Sequence, residues 1–216
     1  MCYNVSIKKK KEVYETRFKA KLSPSLDFPT SDKINGFAHS KIPVITQNKP
    51  SEIQLFSWGL IPSWVKDETQ AKEMQHNTLN AKGETIFEKP SFRGSMLKQR
   101  CLVLIDGFYE WRWEDAKGKV KTPYYIHLKE EGPFALGGIT ATWTNKETGE
   151  IINTCSIITT EANPLMAFIH NNKKRMPFIL DKNKESTWLD NELTKDQVIN
   201  CIHSFDESGM SANKVI

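Results

Sequence analysis

No uninterrupted apolar run in the 216 residues approaches the roughly 18–20 that a membrane helix needs. The N-terminus is polar and lysine-rich and lacks the apolar core of a secretory signal. These two absences lead us to expect an intracellular, cytoplasmic protein with no membrane partner. Cysteine is scarce. Cys2, Cys101, Cys155 and Cys201 are widely separated, with no CxxC pair and no Cys/His cluster at zinc spacing. A zinc module is thereby excluded, free thiols are expected in a reducing compartment, and no metal or cofactor is called for. Strong charge of one sign is lacking too: 30 basic against 26 acidic residues leave +4, too mild to demand a nucleic-acid partner. Internal repeats, low-complexity tracts and linkers are missing, so 1–216 is expected to form one domain around one core.

What is present is mostly β. Leu102-Val103-Leu104-Ile105 reads as a buried strand, followed by a turn at Asp106-Gly107 and a second strand or loop through "FYEW". "TPYYIHL", "PFALGGITATW", "INTCSIITT" and "RMPFIL" read as further strands, several ending at Gly, Pro or Asn. So many short strands predict an α+β fold with a mixed or antiparallel, barrel-like core. Short helices flank it. Asn163-Pro164 supplies an N-cap and first-turn proline for a helix through Leu165, Phe168 and Ile169. Thr194 and Gln197 form a capping box ahead of Val198, Ile202 and Phe205 on one face. Two more helical stretches fit Asp67–Met74 and Gly83–Phe87. The run Lys8–Lys11 either touches phosphates or is a solvated face.

Cys101 and Cys155 sit in apolar runs and read as small core residues. Cys2 has no packing explanation in the sequence. With Met1 attached it is a thiol on a fraying end. With Met1 removed it carries a free α-amine and a thiol on adjacent carbons, a pair no internal cysteine offers. Glu110, bracketed by Tyr109 and Trp111, is either a carboxyl with a raised pKa suited to general acid work or an outward residue of an alternating strand. His170 ends the Asn163 helix as a proton shuttle or as a dipole-favoured cap. Asn80 in "LNAKGE" is an active-site polar group or a turn residue. Trp58 and Trp64 in "SWGLIPSW" stack bases or belong to a core or lid.

Cys2, "WGLIPSW" at 58–64, "NAKGET" at 80–85, "RCLVLIDGFYEW" at 100–111 and "IHNNKKRMP" at 169–177 occur together in that order. In this the chain resembles the SRAP family, abasic-site processing proteins that act on single-stranded DNA, from Cys2 to about Leu180. The resemblance implies that mature Cys2 condenses through its amine with the ring-opened abasic sugar and closes a thiazolidine with its thiol. It implies Glu110 as the acid that opens the sugar and assists reversal, His170 as a proton relay, and Asn80 as the group that orients sugar and Cys2. Lys82, Lys174 and Arg175 would contact phosphates, with Asn4 where the family has an arginine, and Trp58, Trp64 and Trp111 would stack on bases or wedge the strand. The expected partner is single-stranded DNA with abasic sites, bound by a monomer. Met1 would be removed by the protein itself or by a cellular peptidase. The chain leaves the family pattern at Tyr3-Asn4, at "INGFAHSKIP" and in its longer His170–Arg175 spacing, and the family leads us to expect a further C-terminal segment. Two other functions fit a terminal cysteine: a cysteine-type peptidase with an N-terminal nucleophile, or a reader of single-stranded DNA without covalent chemistry.

Overall fold

A computed structural model of the chain describes residues 2–215. In chain order the strands are β1 (Asn4–Ile7), β2 (Lys21–Leu22), β3 (Ser31–Asn35), β4 (Lys41–Thr46), β5 (Lys49–Trp58), β6 (Asn80–Lys82), β7 (Arg100–Ile105), β8 (Gly107–Trp113), β9 (Lys121–Leu128), β10 (Phe134–Thr144), β11 (Ile151–Glu161), β12 (Arg175–Pro177) and β13 (Met210–Lys214). The α-helices are α1 (Lys11–Phe18), α2 (Glu68–Asn77), α3 (Pro90–Arg93), α4 (Pro164–Ile169), α5 (Glu185–Trp188) and α6 (Lys195–Cys201).

The run that reads as a buried strand is the spine of the molecule. Every residue of β7 is buried, because it lies between two partners, β10 and β4, both antiparallel to it. β11 extends the sheet beyond β10 and β5 extends it beyond β4. β11 and β5 then meet in parallel at Thr154–Ser57 and Cys155–Trp58. The path β11-β10-β7-β4-β5 therefore closes on itself as a five-strand barrel, with β12, β6 and β2 attached at its margins. A barrel with no free edge satisfies its backbone groups internally. The second sheet, in the order β13-β9-β8-β1-β3, packs alongside, and one apolar cluster holding Val5, Val103, Phe108, Ile126 and Ile157 runs through both. The α+β, barrel-like reading of the sequence matches this architecture.

Several local readings differ. Asp106-Gly107 is not a hairpin turn; it carries the chain from the barrel strand β7 into the second sheet. The Asp106 carboxylate anchors that crossing, accepting from Lys8 N, from Lys9 N at 3.0 Å and from the Tyr14 hydroxyl at 2.7 Å. The start of the lysine run is thus fastened by its backbone, while Lys9 and Lys10 are exposed. The Gly83–Phe87 stretch is a single 3-10 turn, Gly83–Thr85. The capping box on α6 forms as read, but the helix stops at Cys201, and Phe205 packs on the core from the segment beyond it.

Candidate functional site around Cys2

Cys2 is completely buried, where the sequence alone suggests a thiol on a loose end. Three elements hold it. β1 lies between β3 and β8, with Asn4 opposite both Asn35 and Tyr109. Gly36 N donates to the Tyr3 carbonyl at 2.8 Å. Asn80 Nδ2 donates to the Cys2 carbonyl at 2.9 Å. Asn80 is itself fixed because β6 pairs in parallel with β11, at Ile157, and because the carbonyl of Leu79 accepts the Trp58 indole N–H at 2.9 Å. Its Oδ1 is buried and has no hydrogen-bond donor among the described residues. Burial pushes the Cys2 thiol up, and the nearby Glu110 charge adds to the rise, so the sulfur stays protonated.

Glu110 lies in β8 opposite Tyr124, and only 5% of it is exposed. Burial pushes its carboxyl up to about 7, with Lys173 pulling the other way. Such a group holds a proton on a good fraction of molecules near neutral pH, as an acid catalyst must. His170 caps α4 as read, its N–H donating to Met166 O at 2.7 Å. Its Nδ1 lies 2.8 Å from the Arg175 carbonyl oxygen. A carbonyl can only accept, so this shorter contact favours the hydrogen on Nδ1 over the longer one at 3.3 Å, in which Arg175 N–H points at the same nitrogen, and makes Nε2 of the neutral ring the basic nitrogen. Burial, reinforced by the Lys173 charge and opposed by the bond to the Arg175 backbone, lowers the imidazole to about 4 and keeps it neutral at physiological pH.

Sequence reasoning missed the parts that join these residues. Lys173 bears on both Glu110 and His170, yet it sits unremarked among the basic residues of "NNKKR". Asn171 clamps the turn after His170 onto the strand of Glu110, accepting from Trp113 N at 3.0 Å and donating to Trp113 O at 2.8 Å. Beside Cys2 and Asn80, a cavity of about 290 Å³ is lined by Tyr3, Phe37, His76, Asn77, Leu79 and Asn80. The rings of Tyr3 and Phe37 lie 4.9 Å apart, tilted by 36°, and those of Phe37 and His76 lie 4.8 Å apart, tilted by 44°. Tyr3 is thus a wall of this cleft. A larger cavity of about 850 Å³, between α1 and the Glu130–Phe134 loop, holds none of these residues.

The expected DNA-facing set divides. Trp58 is fully buried under the site, so it cannot stack on a base; its indole supports Leu79 instead. Arg175 is ion-paired to Glu84 through both terminal nitrogens, at 2.7 and 2.8 Å, and also donates to Thr159 O at 2.7 Å. Its side chain is 11% exposed, and this structural clamp replaces the expected phosphate contact. Trp64 is 53% exposed; its neighbour Val65 is buried in a small cluster with Ile61, Ala71 and Trp143, whose indole donates to Val65 O at 2.8 Å. Lys82 and Lys174 are exposed, Asn4 and Trp111 half-buried. Among the described residues, no three His, Cys, Asp or Glu side chains gather as metal ligands do, and no helix is long and apolar enough to cross a membrane.

The fold thus brings Cys2, just ahead of the first strand, together with a buried carboxyl and an asparagine from distant segments. A family model described as SOS response associated peptidase (SRAP) matches residues 1–216, and the chain belongs to this family. It is 38% identical over 173 residues to the "Abasic site processing protein YoqW" of Bacillus subtilis, covering 80% of this chain and 73% of that one. It is 35% identical over 198 residues to the "Abasic site processing protein YoaM" of the same organism, covering 91% and 80%. A crystal structure of a protein from Bacteroides thetaiotaomicron superimposes with a TM-score of 0.90 at 39% identity, covering all of this chain and 92% of that one.

Proposed function

We propose that this protein processes abasic sites in single-stranded DNA by forming a covalent thiazolidine between mature Cys2 and the ring-opened sugar. The observation that carries the reading is the convergence on Cys2 of Asn80, through its carbonyl, and of Glu110, through the field at its sulfur. The names of the relatives point to the same substrate. Met1 lies outside the described residues, and its removal is part of the proposal.

The steps follow from the groups present. Glu110 gives its proton to the ring oxygen of the sugar hemiacetal as the anomeric hydroxyl loses its own, exposing an aldehyde. The α-amine of Cys2, with an ordinary pKa of about 7.7–8.0, adds to that carbon, and loss of water leaves an imine. The thiol, held protonated by burial, then adds across the C=N bond: sulfur bonds to carbon and the proton goes to nitrogen. Aldehyde and aminothiol become thiazolidine and water, with no oxidant or reductant. Neutral His170 relays protons in the carbinolamine step. Asn80 Oδ1, an acceptor without a donor, takes a hydroxyl of the open sugar. Lys82, Lys174, Asn4, Trp64 and Trp111 carry the strand on either side.

The test is a denaturing gel with single-stranded DNA bearing one abasic site. Wild type should give a nuclease-resistant adduct, and Cys2→Ala or an extra residue before Cys2 should give none. Cross-linking by Cys2→Ala would overturn the thiazolidine. Binding by all variants without any adduct would favour a non-covalent reader, and peptide cleavage by wild type alone would favour the peptidase in the family's description. An intact mass short of one methionine residue is expected for the active form.

A further inference from the structure

The strand that carries Glu110 inward presents aromatic rings on its other side. In β8 the buried residues Phe108 and Glu110 alternate with half-buried Tyr109 and Trp111. In β9 buried Tyr124 and Ile126 alternate with half-buried Tyr125 and His127. Register sets Asn4, Tyr109 and Tyr125 side by side across β1, β8 and β9, so they share one face. The rings of Tyr109 and Tyr125 lie 5.0 Å apart, and those of Tyr125 and His127 stack at 5.6 Å with 27° between planes. Lysines sit over them: Lys8 Nζ is 4.0 Å from the Tyr125 ring, and Lys33 Nζ is 5.5 Å from Tyr109 and 4.8 Å from Trp111.

This face is built rather than incidental. Gly107 leaves the room that the Tyr125 ring fills; a Cβ there would lie 2.5 Å from the ring. The Tyr125 hydroxyl is tied to Ser6 Oγ at 3.0 Å, and the Tyr109 hydroxyl donates to Asp32 O at 3.1 Å. Rings held in this way lose little freedom when something stacks on them. A row of fixed rings with mobile ammonium groups matches one kind of ligand, a chain of flat bases alternating with phosphates. A base arriving on a ring displaces the lysine from its face, and the ammonium moves to the adjoining phosphate. Asp32, 4.0 Å from Lys8, is an opposing charge on this face.

We infer that the outer face of β8 and β9, from Trp111 through Tyr109 and Tyr125 to His127 with Lys8 and Lys33, is a second binding track for undamaged single-stranded DNA flanking the Cys2 site. The inference rests on the reading of the partner as single-stranded DNA; it starts from Trp111, which that reading already uses, and adds beyond it a surface of Tyr109, Tyr125, His127, Lys8 and Lys33 which that reading does not need. The track lengthens the footprint, so affinity should grow with strand length beyond what the Cys2 site itself covers.

The experiment titrates the whole chain with labelled undamaged oligonucleotides of about 6 and about 20 nucleotides, spanning common site sizes. Lys8→Glu/Lys33→Glu alters exposed side chains only, and Tyr125→Ala removes the central ring. Each should weaken binding of the longer strand by about tenfold, leave the shorter one unchanged, and leave the adduct with a short abasic strand unchanged. Unchanged binding of the longer strand overturns the inference, as does an equal loss on both lengths. A wild-type dimer that the lysine variant dissolves overturns it as well, since a second copy then covers this face. Length-dependent binding that the variants abolish, in a wild type that forms no adduct, would support this track while overturning the thiazolidine.

Discussion

Asn80 Nδ2 donates to the carbonyl of Cys2 at 2.9 Å, joining positions 78 residues apart. This bond helps set where Cys2 sits, since β1 begins only at Asn4. Asn80→Ala should slow adduct formation by about 10- to 100-fold, as misplacement of a reacting group does, while lowering stability by only about 1 kcal/mol. Asn80→Asp should be worse, setting a carboxylate against the Cys2 carbonyl. Single-turnover adduct kinetics beside thermal unfolding separate the two effects; a full-rate Ala variant would remove Asn80 from the mechanism.

The carboxyl of Glu110 is raised from 4.5 to about 7 chiefly by burial. Because the folded value is raised, its contribution favours the fold at low pH and is lost as pH climbs through about 7. Glu110→Gln keeps the shape without the charge, so at pH 8 it should be more stable than wild type by roughly 2–3 kcal/mol. It should also lose most adduct formation, because the acid that opens the sugar is gone. Denaturant unfolding at pH 5 and pH 8 checks the first claim, with little difference between the proteins expected at the lower pH.

His170 has the opposite sign. Its folded value is lowered to about 4, first by burial, so its stabilising share is whole above the ordinary value of 6.5 and is lost as pH falls through about 4. His170→Asn should flatten the acid side of the stability curve. In wild type the neutral imidazole persists down to about pH 5, so the adduct rate should not fall with His170 protonation near pH 6. An acid limb at 6.5 that vanishes in the variant would show an imidazole far more exposed than this one.

The barrel strands were legible because burial writes itself as apolar runs: "CLVLI" had no other use than β7. Caps were legible as well, since Asn163-Pro164 and Thr194-Gln197 act on their nearest neighbours. The closure of the barrel was not, because it depends on two residue pairs between β5 and β11, about a hundred positions apart. Helix α1 was hidden by its composition; only Tyr14 is buried in it, so no apolar stripe announces it. At the site, the residues with a distinctive chemistry stood out, while Lys173, Asn171 and the ring walls Phe37 and His76 did not. Their roles come from position, and local pattern carries no signal for that.

Trp58 shows how the same residue can be singled out for the wrong reason. Its indole donates to Leu79 O at 2.9 Å, and its ring lies against Gly36, where an added Cβ would come within 3.2 Å. Trp58→Phe would leave the Leu79 carbonyl to Ile157 N alone, at 3.2 Å, and thin the packing, costing about 1–2 kcal/mol. Non-covalent affinity for DNA should stay at the wild-type level, since the ring touches no base. Loss of affinity in a variant that remains folded would restore a stacking role.

Arg175 and its lysine neighbours can be told apart by salt. An exposed lysine that neutralises one phosphate adds about 0.7 to the slope of log K against log salt on a single strand, and mutating it leaves the fold alone. Lys82→Ala and Lys174→Ala should each reduce the slope by about that amount without moving the unfolding midpoint, even though Lys174 holds a left-handed backbone at φ 49°. Arg175→Ala should do the reverse. Its guanidinium bridges Glu84 and the Thr159 carbonyl, tying the turn after β6 to β11, so its loss lowers stability by about 1–2 kcal/mol, the arginine being mostly buried while the Glu84 side chain stays 43% exposed, and leaves the salt slope unchanged. Glu84→Gln should soften the same clamp and partly mimic Arg175→Ala in unfolding, with no effect on the slope. If Arg175→Ala instead lowers the slope in step with the lysine variants, the pair with Glu84 opens when DNA binds, and the arginine belongs with the phosphate contacts.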